Sequence, residues 1–570
     1  MNTWKQWHPA ARAHLRPLTA AVIVSRDVRP PLDALPHVVA RISACLDFSD
    51  LRFWRIPRAC AQGDLRLLRR IALKQPADED PTYKMYLFNR GLVEAVTRDQ
   101  LDIVEWLCDE YCPTGWITMG VETACALGRL QMLQWIFTSH RRRILWTSAF
   151  ADRAAEQGHV HVLEWLCPLA SNDSSASLLL PSVDAINSAA QRGHFHVVKW
   201  YHECGGGSEA LNSGVLRSAI AGGHLEIAQF LHGRGYELDV DNGIDYAASS
   251  GNVAVVEWLH ALSITGWTEN AIDSAAERGH LAMIQWLHDT ILPECTQDAM
   301  DHAARNGHFD VVQWLHKNRT EGCTKNAMNW AAGEGHLHIV QWLHENRRQG
   351  CLHAAMDLAA TNGHLHVVKW LHTHRKEGCT RRAMDGAAQN GHLAMAKWLH
   401  ENRSEGCTKK AMDQAAANGH LEVVQWLHET RLEGCTSQAM NLAASSNHLH
   451  VVKWLHGNRH EGCTKAGMDR AGSCEMAQWL HENRSEGCTT EAMETAIERG
   501  DFELVQYLHA NRTEGCSDSV AHKLGDQSVE LFLWLTEHYR AKLRPEILRR
   551  AFQYRPTLSA LVGLRAEIST

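Results

Sequence analysis

The sequence predicts an all-α protein, a solenoid of about seventeen helix-turn-helix repeats closed by helical caps. Three observations carry this. Trp286, Trp314, Trp342, Trp370, Trp398, Trp426 and Trp454 follow one another at a step of 28 residues. Cys295, Cys323, Cys351, Cys379, Cys407, Cys435 and Cys463 keep the same step. The composition is skewed to 37 His, 21 Trp and 17 Cys against 14 Pro, as one short motif copied many times would leave it. Two helices of about ten residues cannot bury their apolar faces alone, so neighbouring copies must stack.

One copy, from Gly406 to Glu433, reads GCTKKAMDQAAANGHLEVVQWLHETRLE. Thr408 is placed to cap a helix, its hydroxyl accepting from a free amide of the first turn. Ala411, Met412, Ala415 and Ala416 form a small-residue stripe at helical spacing, which lets two helices approach closely. Asn418-Gly419 ends this helix, because glycine tolerates the left-handed backbone of a C-terminal stop. A second helix begins near His420. Its Leu421, Val423, Val424, Trp426 and Leu427 make a wide apolar face, with Glu422 and Gln425 outward. A short polar loop ending in Gly434 returns to the next Cys-Thr.

AAANGHLEVVQWL, and again AARNGHFDVVQWL at Ala303–Leu315, resembles the ankyrin-repeat core AAxxGHLEVVxLLL. The resemblance runs from about Ala59 to about Tyr539 and implies an ankyrin-like α-solenoid. Two departures matter. The Thr-Pro-Leu-His that opens a typical ankyrin helix is replaced by forms such as Ala411-Met412-Asp413, and the period is 28 rather than 33. Five missing residues imply that the ankyrin β-hairpin is reduced to a turn. A leucine-rich repeat of similar period would need a Leu-x-Leu strand in each unit, which none offers. Tetratricopeptide and pentatricopeptide repeats run nearer 34 and use other anchors.

The remaining segments are irregular. Residues 1–34 carry no helical period and are expected to be flexible; Leu18–Val24 is too short for a convincing signal core. Residues 35–58 are expected to form an N-terminal cap, although LPHVVARISACLDFSDL (Leu35–Leu51) resembles the opening of an F-box. The solenoid is assigned to 59–540, with an exposed insertion at 171–181. In a shortened repeat at 464–483, AGSCEMAQWL has lost three residues from the turn between helices. Residues 541–570 read as a C-terminal helical cap.

The composition excludes several functions. Apolar residues are 45% of the chain and its formal charge is −8, so a core is available but not the basic footprint of a nucleic-acid coat. No apolar run approaches the ~20 residues of a membrane helix. Nine cysteines recur at one repeat position and read as reduced, small core residues of an intracellular protein, cytoplasmic or nuclear. The WLH histidines, among them His316, His344, His372, His400, His428 and His456, form a one-per-repeat row. Packed helices lie about 8–10 Å apart, too far for neighbours to share an ion at ~2.1 Å from each nitrogen. Arg319, Arg347, Arg375, Arg403, Arg431, Arg459, Arg484 and Arg512 also recur. Glu321, Glu377, Glu405, Glu433, Glu461, Glu486 and Glu514 stand two positions later and offset them. No catalytic, cofactor or metal site is assigned, since residues repeated identically in every copy behave as scaffolding.

The expected function is therefore a non-enzymatic scaffold that binds a protein partner as a monomer. The alternatives are an F-box-like ubiquitin-ligase adaptor and, less favoured, a nucleic-acid-binding solenoid. Comparing the copies locates the candidate face. Ala-Ala, Gly-His and Trp-Leu-His hardly vary, whereas the two residues after the capping Thr do: Lys325-Asn326, Arg381-Arg382, Lys409-Lys410 and Ser437-Gln438. So does the residue before Ala-Ala: His302, Trp330, Leu358, Gly386, Gln414 and Leu442. The ankyrin resemblance implies that these line the concave side, where partners bind. Lys325, Asn326, Trp330, Leu358, Arg381, Arg382, Lys409, Lys410, Gln414 and Leu442 are the candidate contacts, suited to an apolar segment flanked by acidic residues.

Overall fold

The computed structural model describes residues 55–75, 80–170, 180–204, 213–236, 243–264, 266–518, 520–523 and 529–543. Segment 1–34, expected to be flexible, the stretch 35–51 that resembles an F-box opening, most of the 171–181 insertion and most of the expected 541–570 cap lie outside these residues. Among the described residues there are seventeen helix pairs and no β-strand.

The copy from Gly406 to Glu433 shows how each pair is made. Its first helix is Lys409–Ala417, and Thr408 caps it by accepting from the Lys410 amide at 3.2 Å. Ala411, Met412, Ala415 and Ala416 are buried, as their spacing predicts. Gly419 follows with φ +79°, the left-handed stop. The second helix, Leu421–Thr430, buries Val423, Val424 and Leu427, while Leu421 and Trp426 are only half-buried. The tryptophan row thus lies at the border of the core. The linker then turns at Gly434 (φ +69°) in place of a hairpin.

The chain divides into two compact units, residues 1–189 and 190–570. In the second, first helices pack on first helices in sequence order. His353–Thr361 lies against Arg381–Gln389, which lies against Lys409–Ala417, which lies against Ser437–Ser445. The alanine stripes permit that close approach.

The first unit holds four less regular pairs. Its second pair opens with the long helix Pro81–Thr97, whose N-terminus is capped by Asp80. Arg143 ties the unit's loops together, donating to the carbonyls of Gly115 (2.7 Å), Cys108 (2.9 Å) and Cys112 (2.7 Å).

The shortened repeat departs from its sequence expectation. The loss falls on the first helix as well as on the turn: the helix is five residues long (Lys465–Asp469), where the first helices before and after it have nine and eight. The turn is rebuilt around Ser473, which caps the next helix by accepting from the Met476 amide at 3.2 Å. Gly472 donates its amide to the Ala444 carbonyl of the preceding repeat at 2.9 Å.

Candidate interaction surface

Three sets of bonds fix each repeat to the next and leave the variable positions outside them. The first begins at the aspartate that replaces the usual ankyrin opening. Asp385 accepts from the Thr408 amide and hydroxyl, both at 2.7 Å, and Asp413 does the same for Thr436 at 2.8 Å. Asp245, Asp273, Asp301, Asp357 and Asp469 bond the next Thr likewise. The capping Thr of these first helices is therefore held by the preceding repeat. Burial pushes the Asp273, Asp301 and Asp469 carboxyls up, although the threonine hydrogen bonds work against that rise.

The second set runs through the Gly-His histidines. Each starts a second helix without capping it by its side chain, and its ring turns back to the preceding repeat. His308 Nε2 donates to the Glu277 carbonyl at 3.1 Å, and His224 Nε2 to Gln191 at 3.0 Å. The ring fills the space beside the preceding glycine: a Cβ on Gly391 would lie 2.6 Å from Nδ1 of His420. Burial lowers the pKa of His280, His336, His364, His420 and His448, and neighbouring cationic side chains, other histidines or Arg278, lower it further.

The third set joins the WLH row to the arginines. His400 sits edge-on to Trp426 of the next repeat at 5.8 Å between ring centroids, and His428 to Trp454 at 5.3 Å. Arg431 reaches back to the His400 ring at 3.1 Å and pairs with Glu433 at 2.5 Å. The same Arg–Glu pairing holds for Arg319, Arg375, Arg403, Arg459, Arg484 and Arg512. Burial opposes ionisation of Glu461, but the Arg459 hydrogen bond and charge, together with hydrogen bonds from its own backbone amide and Cys435, outweigh it and bring its pKa down to about 2. Arg347 is followed by Gln349 instead and turns to the Met300 sulfur at 3.3 Å. The cysteine row lies beside these arginines, buried except for half-buried Cys463, and burial pushes the Cys407 thiol up to about 12.

Against this frame the variable positions face outward. Lys325, Asn326, Arg381, Arg382, Lys409 and Lys410 are exposed at the starts of their first helices. Arg381, Arg382, Lys409, Lys410 and Gln414 share one groove of about 960 Å³, with Gly386 and Gln389 in its lining. Arg381 donates from Nε to the Glu405 carbonyl at 3.3 Å. Among the described residues none of the four cations forms an ion pair.

The residue before Ala-Ala is less free than the copies suggest. It packs against the residue that follows Ala-Ala in the preceding repeat. Trp330 stacks on His302 at 5.4 Å, with the Arg305 guanidinium 5.8 Å from its ring centroid. Leu358, 37% exposed, covers Gly333, where a Cβ would fall 2.9 Å from the leucine's own. At Gly386 the sizes reverse, since a Cβ there would collide with the Thr361 hydroxyl. A glycine inside a helix costs roughly 0.5–1 kcal/mol relative to alanine, and here it opens the groove. Leu442 is half-buried one repeat beyond Gln414. The structure thus gathers five of the ten candidates into one groove. It sets Trp330 and Leu358 on the two preceding first helices, with Lys325 and Asn326 at the start of the helix that carries Trp330.

Comparison with known proteins agrees with this architecture. The family profile "Ankyrin repeats (many copies)" matches residues 244–288, 272–316 and 412–456, and "Ankyrin repeats (3 copies)" matches 301–383 and 328–413. No curated protein matches the chain. Among solved structures, the pentatricopeptide repeat protein PPR10 from maize aligns over 98% of this chain and 93% of its own, at 10% identity and a TM-score of 0.28. PPR10 in complex with an 18-nt psaJ RNA element aligns over 96% of this chain and 100% of its own, at 10% identity and a TM-score of 0.27. So slight a superposition carries no weight for fold or ligand. The profile matches and the stacked helix pairs do: residues 244–456 carry ankyrin repeats, of a short 28-residue kind without the hairpin.

Proposed function

We propose that this chain is a non-enzymatic scaffold that holds a segment of a protein partner along its first helices between Lys325 and Leu442. The observation that carries the reading is the groove over Gly386. Four cations without ion pairs among the described residues converge there in a chain of net charge −8, at positions the inter-repeat bonds leave free. Apolar Trp330 and Leu358 flank it on the preceding repeats, which suits a partner segment with both acidic and apolar residues. The recurring Arg row favours this over nucleic-acid binding, because seven of its eight members pair with a neighbouring Glu and would have to give that up to hold phosphates. The chemistry-bearing side chains that recur are spent on joining repeats, in line with a binding role. No helix among the described residues is long and apolar enough to cross a membrane.

The test is affinity purification with crosslinking, followed by binding kinetics on the partner it finds. Changing Arg381, Arg382, Lys409 and Lys410 to Glu is expected to slow association and flatten its salt dependence. Trp330→Ala is expected mainly to speed dissociation. If both variants bind as tightly as the parent, the surface lies elsewhere.

A further inference from the structure

We propose that the notch over Gly386 receives one phosphorylated serine or threonine side chain of an extended partner segment. The inference rests on the scaffold reading above and names what its groove selects. The repeats on either side place Trp330, Leu358, Gln414 and Leu442 at the position of Gly386, so the row of side chains is interrupted at this one point. The gap coincides with the four cations: Arg381 and Arg382 begin the helix that carries Gly386, and Lys409 and Lys410 begin the next.

Charge decides between anions. The groove's lining holds four cations and two carboxylates, Asp385 and Asp413, for a net charge of +2. Both carboxylates are already engaged by threonines of the following repeats, so neither is available to pair with the cations. One Asp or Glu side chain brings a single negative charge and leaves the site half-neutralised. A phosphorylated side chain brings about −1.5 to −2 at neutral pH, with three acceptor oxygens. Guanidinium groups suit those oxygens because their planar N–H pairs bond two at once. Arg382 has no ion pair among the described residues, and Arg381 uses only Nε, on the Glu405 carbonyl. The amides of Gln389 and Gln414 add neutral donors at the groove. A volume of about 960 Å³ also exceeds a phosphoryl group by far, leaving room for the residues on either side of it.

The size exchange seen between repeats supplies a variant that closes the notch without disturbing the stack. Gly386→Leu alone would meet the Thr361 hydroxyl. Gly386→Leu combined with Thr361→Gly reproduces the Gly333–Leu358 pairing found one repeat earlier.

The experiment uses the full chain and fluorescein-labelled peptide libraries with a fixed central residue and degenerate flanks. The central residue is phosphoserine, serine or glutamate. The phosphoserine library is expected to bind at least tenfold more tightly than either other library. The double variant T361G/G386L, shown by circular dichroism to melt like the parent, is expected to lose that preference, as is Arg382→Gln. Equal binding of the phosphoserine and glutamate libraries would show a surface that counts charge alone and overturn the proposal. An unchanged preference in the closed-notch variant, or no binding of the phosphoserine library, would overturn it too. A partner whose capture still depends on Trp330 and the four cations, but not on phosphorylation, would leave the scaffold standing and remove only the notch.

Discussion

The carboxylate of Asp413 accepts two hydrogen bonds from Thr436, one from its amide and one from its hydroxyl, both at 2.8 Å. Thr436 in turn caps its own helix by accepting from the Gln438 amide at 3.1 Å. One carboxylate therefore both joins two repeats and aims the group that starts the second.

Asp413→Ala is expected to cost about 1.5–3 kcal/mol, the range for hydrogen bonds to a charged group. Asp413→Asn should be nearly neutral, because Asn441 already does this work for Thr464, accepting from its amide and donating to its hydroxyl. Urea midpoints of the two variants, with amide exchange at Thr436, check the pair. Equal losses would show that charge rather than hydrogen bonding is what matters.

Stability should fall as the pH drops from 7.5 to 5.5. His280, His336, His364, His420 and His448 are held below the ordinary value near 6.5, so the unfolded chain takes up protons first. Their contribution is complete above about 6.5 and is lost as the pH falls toward their folded values. The raised carboxyls of Asp273, Asp301 and Asp469 act with the opposite sign, closer to pH 4. Replacing His420 and His448 by Asn should flatten the decline. Asn252 holds this position in another repeat, donating to the Gly223 carbonyl at 2.8 Å and capping Ala254 at 3.1 Å. Melting temperatures at three pH values decide it; a slope unchanged by the double variant counts against the histidines.

Thiol labelling should be strongly uneven. Cys204 is exposed, whereas Cys323, Cys407 and Cys435 are buried, with burial pushing their thiols up to about 11, 12 and 11. Iodoacetamide at pH 8 is expected to modify Cys204 within minutes and to spare the other three until denaturant is added. Peptide mapping by mass spectrometry gives the order, and early labelling of Cys407 would contradict its burial.

Exchange in the shortened repeat should be split. Residues 468–472 span the end of a five-residue helix and the turn after it, and are expected to exchange faster than residues 412–417. The helix Cys474–Asn483 should be as protected as Leu421–Thr430, because its ties persist. Asp469 still bonds Thr489 at 2.6 and 3.0 Å, and His456 still meets Trp479 at 5.3 Å. Hydrogen exchange read by mass spectrometry tests both halves, and fast exchange throughout 465–483 would mean that the deletion breaks the stack.

What was legible in the sequence was what a single repeat determines locally. The Thr cap, the alanine stripe and the glycine stop each act within a few residues, and all three stand where their spacing puts them. Asp413 was missed because its partner lies 23 residues away and its own helix gives it no task. The signal was present in the copies, since an Asp or Asn stands 23 residues before nearly every capping Thr. The spacing sets the tryptophans in a wide apolar face, yet Trp426 is half-buried, its ring meeting that of His400 edge to face at the border of the core. Variation among the copies marks the apolar residues before Ala-Ala as candidate contacts. Their size also answers the residue opposite them, Arg305 for Trp330 and Gly333 for Leu358, a relation that only adjacency of repeats reveals.

The Asp-to-Thr bond gives the array a direction. A typical unit arrives with a threonine that needs an acceptor behind it and an aspartate that offers one ahead. A 28-residue segment copied in frame beside its parent therefore finds both of its partners already waiting, and the break it enters is healed by the same two bonds it interrupts. Lengthening such a chain requires no new contact to be invented. It is the kind of molecule that grows by duplication first and acquires its differences, position by position, afterwards.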